Sequence, residues 1–488
     1  MTAGRERLDG QGWTGARRRD NLVTMPKFKL LCGLSVLRGW VLVFGFFLCA
    51  GTGLAATILA LAPPMGWNSW DCYGLTITEA QFRANVKVEA AALRPSGYRY
   101  AVVDEGWYLA NPESASRPES LEYRMDGNGR YQPALNRFAS AEGGAGFGPV
   151  AEFVHAQGLK FGIHIIRGIP KQAVTANLAI AGSGFHAGDV ADRNDTCPWN
   201  PDNYGVKDNA AGQAWYDALL RQYADWGVDY IKVDCIASHP YKGAEIGMIH
   251  RAIAKTGRPI VLSLSPGPAP LEEARELGAN AQVWRVSDDV WDFWQRSGSE
   301  AGAGEFPQSV KNQFAVIASW NREVRPGNWP DADMLPLGRL GPAPGYGRAR
   351  ATRLTHDEQR TLVTLWSMAR SPLFFGGNLT ELDDWTKGLL TNREVVAIDQ
   401  LASESREISR MGDLVVWTAD LPGGERAVAF FNLNDLSQGV DNPMGLAGFS
   451  GESRRVRDVW GERDLGRLRD VKSLKIEPHG CVLLWVGR

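Results

Sequence analysis

The chain has 488 residues, with 53 Lys+Arg against 55 Asp+Glu, 44% hydrophobic and 22% charged residues. That length calls for two or three cores, and the composition excludes a disordered chain, a collagen-like repeat and a multi-span membrane protein. A formal charge of -2 lacks the basic excess of a nucleic-acid binder, so no nucleic-acid partner is expected. The 18 Trp suit either large cores or the flat apolar faces of sugars.

Residues 1–55 read as an export signal region. A second methionine, Met25, is the expected start. It is followed by basic Lys27, Lys29 and Arg38, an apolar run from Trp40 to Leu48, and small residues Gly53-Leu54-Ala55 before a cleavage site near Ala55. A single anchoring helix is the alternative, but Gly45, Gly51 and Gly53 interrupt a run already short of the ~20 apolar residues a span needs. A lipid anchor on Cys49 is disfavoured by Phe47-Leu48 before it. Secretion or periplasmic export is therefore expected, with no stable membrane insertion after signal removal. The segment holds eight Lys+Arg and three Asp+Glu, so the mature chain carries -7. Its cysteines, Cys72, Cys197, Cys235 and Cys481, contain no C-x-x-C pair, which argues against a zinc ribbon. An oxidising compartment permits one or two disulfides whose pairing spacing cannot give.

Residues 56–400 alternate short apolar runs with helical stretches. The runs are Met65 to Trp70, Arg99 to Trp107, Lys160 to Arg167, Tyr230 to Cys235, Pro259 to Ser265, Val283 to Asp289, Asn328 to Leu335 and Pro372 to Gly376. Their helical partners run over Glu79 to Leu93, Val150 to Gln157, Gln213 to Trp226, Glu245 to Ala254, Leu271 to Leu277, Phe314 to Trp320, His356 to Met368 and Asp383 to Ile398. Eight such units predict an α/β fold, a (β/α)8 TIM barrel, rather than a doubly wound open sheet. No Gly-x-Gly-x-x-Gly follows the first run, so no dinucleotide cofactor is expected. Residues 401–488 change to period-two runs, such as Leu414 to Trp417 and Ala427 to Asn432, and predict a C-terminal antiparallel β domain that is β-sandwich-like.

A barrel works at the carboxyl ends of its strands, and here those ends are rich in carboxylates: Asp104-Glu105, Asp234, Asp288-Asp289 and Asp331-Ala332-Asp333. Side chains two apart share a strand face, so Lys232 points with Asp234, and Arg285 with Ser287 and Asp289. Asp288 then takes the opposite, structural face. Two inward carboxylates beside a Lys and an Arg fit glycoside hydrolysis, in which one attacks the anomeric carbon and the other protonates the leaving oxygen. With His164 the sole strand-end histidine, a transition-metal centre is not expected and no cofactor or metal is assigned; calcium on oxygen ligands is the open alternative.

At these residues the chain resembles glycoside hydrolase family 27, the α-galactosidase and α-N-acetylgalactosaminidase family. The resemblance rests on Ala62 to Trp70, Tyr230-Ile231-Lys232-Val233-Asp234, Trp284-Arg285 through Asp289, and Trp329-Pro330-Asp331-Ala332-Asp333-Met334. It implies Asp234 as nucleophile and Asp289 as general acid/base of a retaining double displacement. It places Trp67, Asp104, Glu105, His164, Lys232, Ser265, Arg285 and Asp333 around the terminal sugar of an oligo- or polysaccharide. A retaining pair requires carboxyls about 5–5.5 Å apart. The implied activity is an α-galactosidase. Glu105, where many members carry Asp, has an extra methylene that would crowd C6 and favours β-L-arabinopyranose, which lacks that carbon. Ser265 stands where a Glu meets the 2-hydroxyl in galactose-selective members and leaves room for an N-acetylgalactosamine substituent. The insertion Gly168 to Gly205 is expected at the pocket rim. A barrel that binds carbohydrate without turnover is the alternative of another class, and the oligomeric state is open.

Overall fold

The computed structural model describes residues 58–296, 302–342, 346–450 and 453–487. The expected export segment lies outside them. Among the described residues, no helix is long and apolar enough to cross a membrane.

Eight parallel strands build one sheet: β1 (Met65–Asn68), β2 (Tyr100–Val103), β3 (Lys160–Ile166), β4 (Tyr230–Asp234), β5 (Val261–Leu264), β6 (Val283–Arg285), β7 (Trp329–Asp331) and β8 (Leu373–Phe375). Strands β1 to β7 lie side by side in chain order and β8 pairs with β1. Just beyond β7, the Leu335 amide donates to the Phe374 carbonyl at 2.7 Å, and the Gly376 amide donates to Leu335 O at 3.1 Å. That parallel bridge closes the sheet into a ring.

Each strand leads to a helix: α1 (Glu79–Val88), α2 (Gly148–Ala156), α3 (Ala210–Asp225), α4 (Gly243–Thr256), α5 (Ala274–Asn280), α6 (Val310–Ser319), α7 (His356–Ala369) and α8 (Asp384–Thr391). Side-chain caps start several of them. Thr78 with Gln81, and Thr355 with Glu358, form reciprocal capping boxes at α1 and α7. The single helix expected over Asp383 to Ile398 is divided at Asn392. Its side-chain oxygen accepts from the Glu394 and Val395 amides at 3.0 and 3.1 Å and starts a second helix, Arg393–Leu401.

Strand parity sorts the residues onto two faces. Trp67, Ala101, Val103, Ile163, Ile231 and Trp284 point outward into the core shared with the helices. Tyr100, Val102, Tyr230, Val261, Trp329 and Phe374 belong to a separate apolar cluster that plugs the amino-terminal end of the ring. The Tyr100 and Tyr230 rings lie 5.3 Å apart, and Tyr230 and Phe374 likewise. Gly66 makes room for this plug, since a Cβ there would sit 2.1 Å from the Tyr100 carbonyl oxygen. One step of two residues further along each strand, the inner face turns polar with Lys232, Ser263, Arg285 and Asp331. The barrel interior is thus sealed at one end and charged at the other.

The C-terminal part is a six-stranded antiparallel sheet ordered 403–411, 414–421, 425–432, 481–486, 455–458, 463–467. Alternation again makes two faces. Val415, Trp417, Ala429, Phe431 and Leu483 join the barrel's core, with Phe431 edge-on to Phe314 of α6 at 5.0 Å. Val416, Val428, Phe430, Val456 and Leu484 form a second cluster, closed by the two-stranded ribbon Gln438–Asp441 with Ser473–Ile476. Trp460 donates to Thr364 of α7 at 2.9 Å, and the Glu394–Arg457 pair adds a rim contact at 2.9 Å.

Candidate active site

The polar residues at the carboxyl ends of the strands converge because β3, β4 and β5 are in register: His164 sits opposite Lys232, and Lys232 opposite Ser263. Asp234 ends β4. It bonds His164 Nε2 at 3.1 Å and accepts from the Cys235 amide. Burial acts to raise the Asp234 carboxyl, but the His164 hydrogen bond and the charges of His164 and Lys232 outweigh it and hold its pKa below the usual value. Burial likewise opposes a charged His164, yet Asp104 and Asp234 raise its pKa.

Asp104 lies just past β2. It accepts from Lys232 Nζ at 3.2 Å and Asn68 Nδ2 at 2.7 Å, and its own amide donates to Ser69. Desolvation is countered by Lys232 and His164, leaving its pKa at about 2. Its neighbour Glu105 behaves oppositely. Burial, helped by the charges of Asp234, Asp202 and Asp104 and resisted by His164, pushes Glu105 up to about 7. Asn200 donates to the Glu105 carboxylate at 2.7 Å. Of two adjacent carboxyls, Asp104 therefore stays ionised at neutral pH while Glu105 titrates there.

Arg285 is 1% exposed and bridges Asp289 at 3.2 Å and Asp333 at 2.8 Å. Asp333 also accepts from the Val290 amide at 2.7 Å, fixing the loop that carries Asp289. Burial raises Asp333 to about 7, with Arg285 opposing and Asp289 adding to the rise. Such buried ions persist only because each has partners. Asp71 belongs to this charge layer too. Its Oδ2 is buried without a protein hydrogen-bond partner, and burial followed by Asp333 raises its pKa. Gly376 admits it, since a Cβ there would lie 1.9 Å from that oxygen.

Above this layer opens a cavity of about 460 Å³ onto which Asp234, Asp288 and Asp289 all face. Its walls are aromatic: Trp70, Trp199, Trp291, Phe306 and Tyr346. Asp234 and Asp289 thus meet one space, with side chains 16% and 35% exposed. Asp104, Lys232, Arg285, His164 and Asp333 stand directly behind them, while Ser265 is buried next to Pro266 on the cavity wall.

Two placements differ from the sequence expectation. Trp67 does not face the cavity. It is fully buried on the outer side of β1, packed on Phe82 at 5.8 Å with its indole donating to the Gly377 carbonyl at 2.8 Å. Trp70 takes the cavity position, because β1 ends at Asn68 and the short helix Trp70–Tyr73 turns the chain. Asp288 is not turned away either: β6 ends at Arg285, so alternation does not extend to 288 and 289, and Asp288 meets His239 at 3.6 Å on the cavity edge. The insertion folds as a small three-stranded sheet, Ile169–Pro170 with Asn203–Val206 and Ala191–Thr196. A disulfide joins its Cys197 to Cys235, the residue after Asp234. Trp199 and Asn200 follow directly. Nothing local in the sequence marks Asn200 as the partner of Glu105, 95 positions away. Among the described residues, no group of three or more His, Cys, Asp or Glu is placed to hold a metal ion.

Paired strand-end carboxylates beneath an aromatic-walled cavity, on a (β/α)8 barrel, define a glycoside hydrolase. Comparison with known proteins narrows the class. Residues 184–401 match the family model described as alpha galactosidase A, and residues 411–486 the alpha galactosidase C-terminal beta sandwich domain. The chain is similar to a GH27 β-L-arabinopyranosidase from Geobacillus stearothermophilus, at 43% identity over 88% of this chain and 97% of that one, with a TM-score of 0.80. A putative alpha-N-acetylgalactosaminidase from Bacillus halodurans follows at 41% identity over 88% and 98%, TM-score 0.76. Alpha-galactosidase A from Cellvibrio japonicus is 27% identical over 87% of this chain and 92% of its own. The chain belongs to glycoside hydrolase family 27.

Proposed function

We propose that this glycosidase is exo-acting and retaining, and that it releases a terminal β-L-arabinopyranosyl unit, with the α-D-galactosyl unit, the same ring bearing C6, as its second substrate. Asp234 attacks the anomeric carbon from one face while Asp289 gives its proton to the departing oxygen. Asp289 then takes a proton from the water that cleaves the glycosyl-enzyme. His164 and Lys232 keep Asp234 ionised for attack. Arg285 donates to the Asp289 carboxyl at 3.2 Å and holds it at the edge of the cavity. Asp104 and Lys232 are suited to grip vicinal hydroxyls, and Trp70 offers an apolar face.

The observation that carries the choice of sugar is Glu105, held by Asn200 beside Asp104. A carboxyl one methylene longer than Asp, and fixed in place, occupies space that a C6 hydroxymethyl group would need. The greater identity to the arabinopyranosidase than to the α-galactosidase agrees with this order. Comparing kcat/KM on nitrophenyl β-L-arabinopyranoside and α-D-galactopyranoside tests it: the first is expected to exceed the second, and Glu105→Asp to shift the ratio toward galactose. A ratio that favours galactose and does not respond to the shortening removes the crowding argument. For the mechanism, azide added to Asp234→Ala should restore cleavage with inverted anomeric configuration.

Export is proposed as well. The Cys197–Cys235 disulfide is at home in an oxidising compartment, in keeping with the signal-like residues 25–55.

A further inference from the structure

The cavity has two chemically different ends. At its base stand the carboxylates and the cations behind them. Its outer part is walled by rings, and two of these are open to solvent to a degree unusual for such side chains: Trp199 is 45% and Phe306 47% exposed. Tyr346 is the hinge of one wall, 5.2 Å edge-on from Phe306 and 5.1 Å from Trp291. Trp199 forms the other, set edge-on against His239 at 5.6 Å.

These walls come from opposite parts of the ring. Trp199 belongs to the insertion after β3, and Tyr346 to the connection after β7, four strands away. What projects outward between them from the reacting carbon is the leaving group. Among the described residues that line this space there is no Asn, Gln, Lys or Arg; its polar side chains are the carboxylates Asp234, Asp288 and Asp289, with His239 3.6 Å from Asp288 at the edge. Arg350, whose guanidinium lies over the Trp291 ring at 5.5 Å, is paired with Asp292 at 2.6 Å. A second sugar carries a ring of hydroxyls that need donors and acceptors, and the half-exposed outer rings offer only the Trp199 indole N–H and, beside Phe306, the Tyr346 hydroxyl. A planar apolar group needs only contact and exclusion of water.

We infer that the aromatic mouth is a leaving-group subsite selective for an apolar, planar aglycone, so that the substrates are small glycosides of aromatic or polycyclic alcohols rather than sugar-terminated chains. This rests on the assignment of Asp234 and Asp289 as the reacting pair. Which sugar occupies the inner end is a separate matter.

Affinity measured without turnover tests it. Thioglycosides resist cleavage, so calorimetry on the intact protein can compare a benzyl thioglycoside with a thio-linked disaccharide carrying the same terminal sugar, once for L-arabinopyranose and once for galactose. The benzyl compound is expected to bind about tenfold more tightly, equivalent to ~1.4 kcal/mol. Trp199→Ala and Phe306→Ala should each remove most of that preference while leaving the disaccharide affinity within about twofold. Both side chains are half exposed, so either variant should fold. Equal binding of the two ligands, tighter binding of the disaccharide, or a parallel loss for both in the variants overturns the inference. A reversal between arabinose and galactose that keeps the benzyl preference would count against the choice of sugar alone.

Discussion

The two ends of the barrel interior are built from the same strands and the same alternation, yet they do opposite work. At the amino-terminal end, Tyr100, Tyr230, Trp329 and Phe374 fill the ring with apolar contact. At the other, Asp234, Lys232, Arg285 and Asp104 crowd charge into space that burial makes unfavourable for it. The inner face changes from Tyr230 to Lys232 within two residues. The plug supplies the rigidity that lets the charged layer persist, since like charges held within hydrogen-bonding distance of shared cations need a frame that cannot relax.

That contrast can be broken from either side. Replacing Asp234 by Ala should lower turnover by at least about 10³-fold while circular dichroism and melting remain those of a folded barrel. A residual rate near that of the unaltered enzyme would place the nucleophile elsewhere. The two tryptophans after the start of β1 give a matched pair. Trp67→Ala should cost about 3–5 kcal/mol of stability through the cavity it leaves in the helix-facing core. Trp70→Ala should leave the denaturation midpoint nearly unchanged and raise KM about tenfold. Similar stability losses for both would show that the packing distinction is wrong.

A smaller effect is expected from Asn200→Ala. Losing one hydrogen bond to Glu105 should change the arabinoside-to-galactoside ratio by about 2–10-fold and move the pH profile, with kcat altered less than the ratio. The smallest is a pH dependence of stability. Glu105 and Asp333 are each raised to about 7, so the native state binds more protons than the unfolded chain between roughly pH 4 and 7. Their contribution is complete below the unfolded carboxyl values and is lost as pH rises through about 7. Melting temperature should therefore fall across that window, and Glu105→Gln should flatten part of the fall; an unchanged slope in that variant would mean Glu105 does not hold its proton.

Much of this was legible in the sequence wherever alternation could act. All eight runs and a helix after each follow from periodicity, save that the last helix is split at Asn392, and Lys232 with Asp234 on one inner face follows from parity within β4. Parity fails once a strand has ended, and that is why Asp288 is expected to turn away; the expectation for Trp67 rests on the resemblance alone, and inside β1 that residue faces outward while Trp70, beyond the strand's end, reaches the cavity. Asn200 and the Cys197–Cys235 pairing depend on where a long insertion folds back, which no local pattern records. Trp199 is in the insertion expected at the rim, whereas Phe306 and Tyr346 escape for the same reason, because they lie in two further connections.

The covalent link beside Asp234 has a practical consequence for anyone making this enzyme. Closing a loop of 38 residues removes chain entropy worth about 4 kcal/mol from the unfolded ensemble. It also fastens Trp199 and Asn200 to the strand that ends at Asp234. Material produced in a reducing cytosol would emerge with Cys197 and Cys235 as free thiols and a slackened rim. Batches that look identical on a gel would then differ in Michaelis constant until they were oxidised.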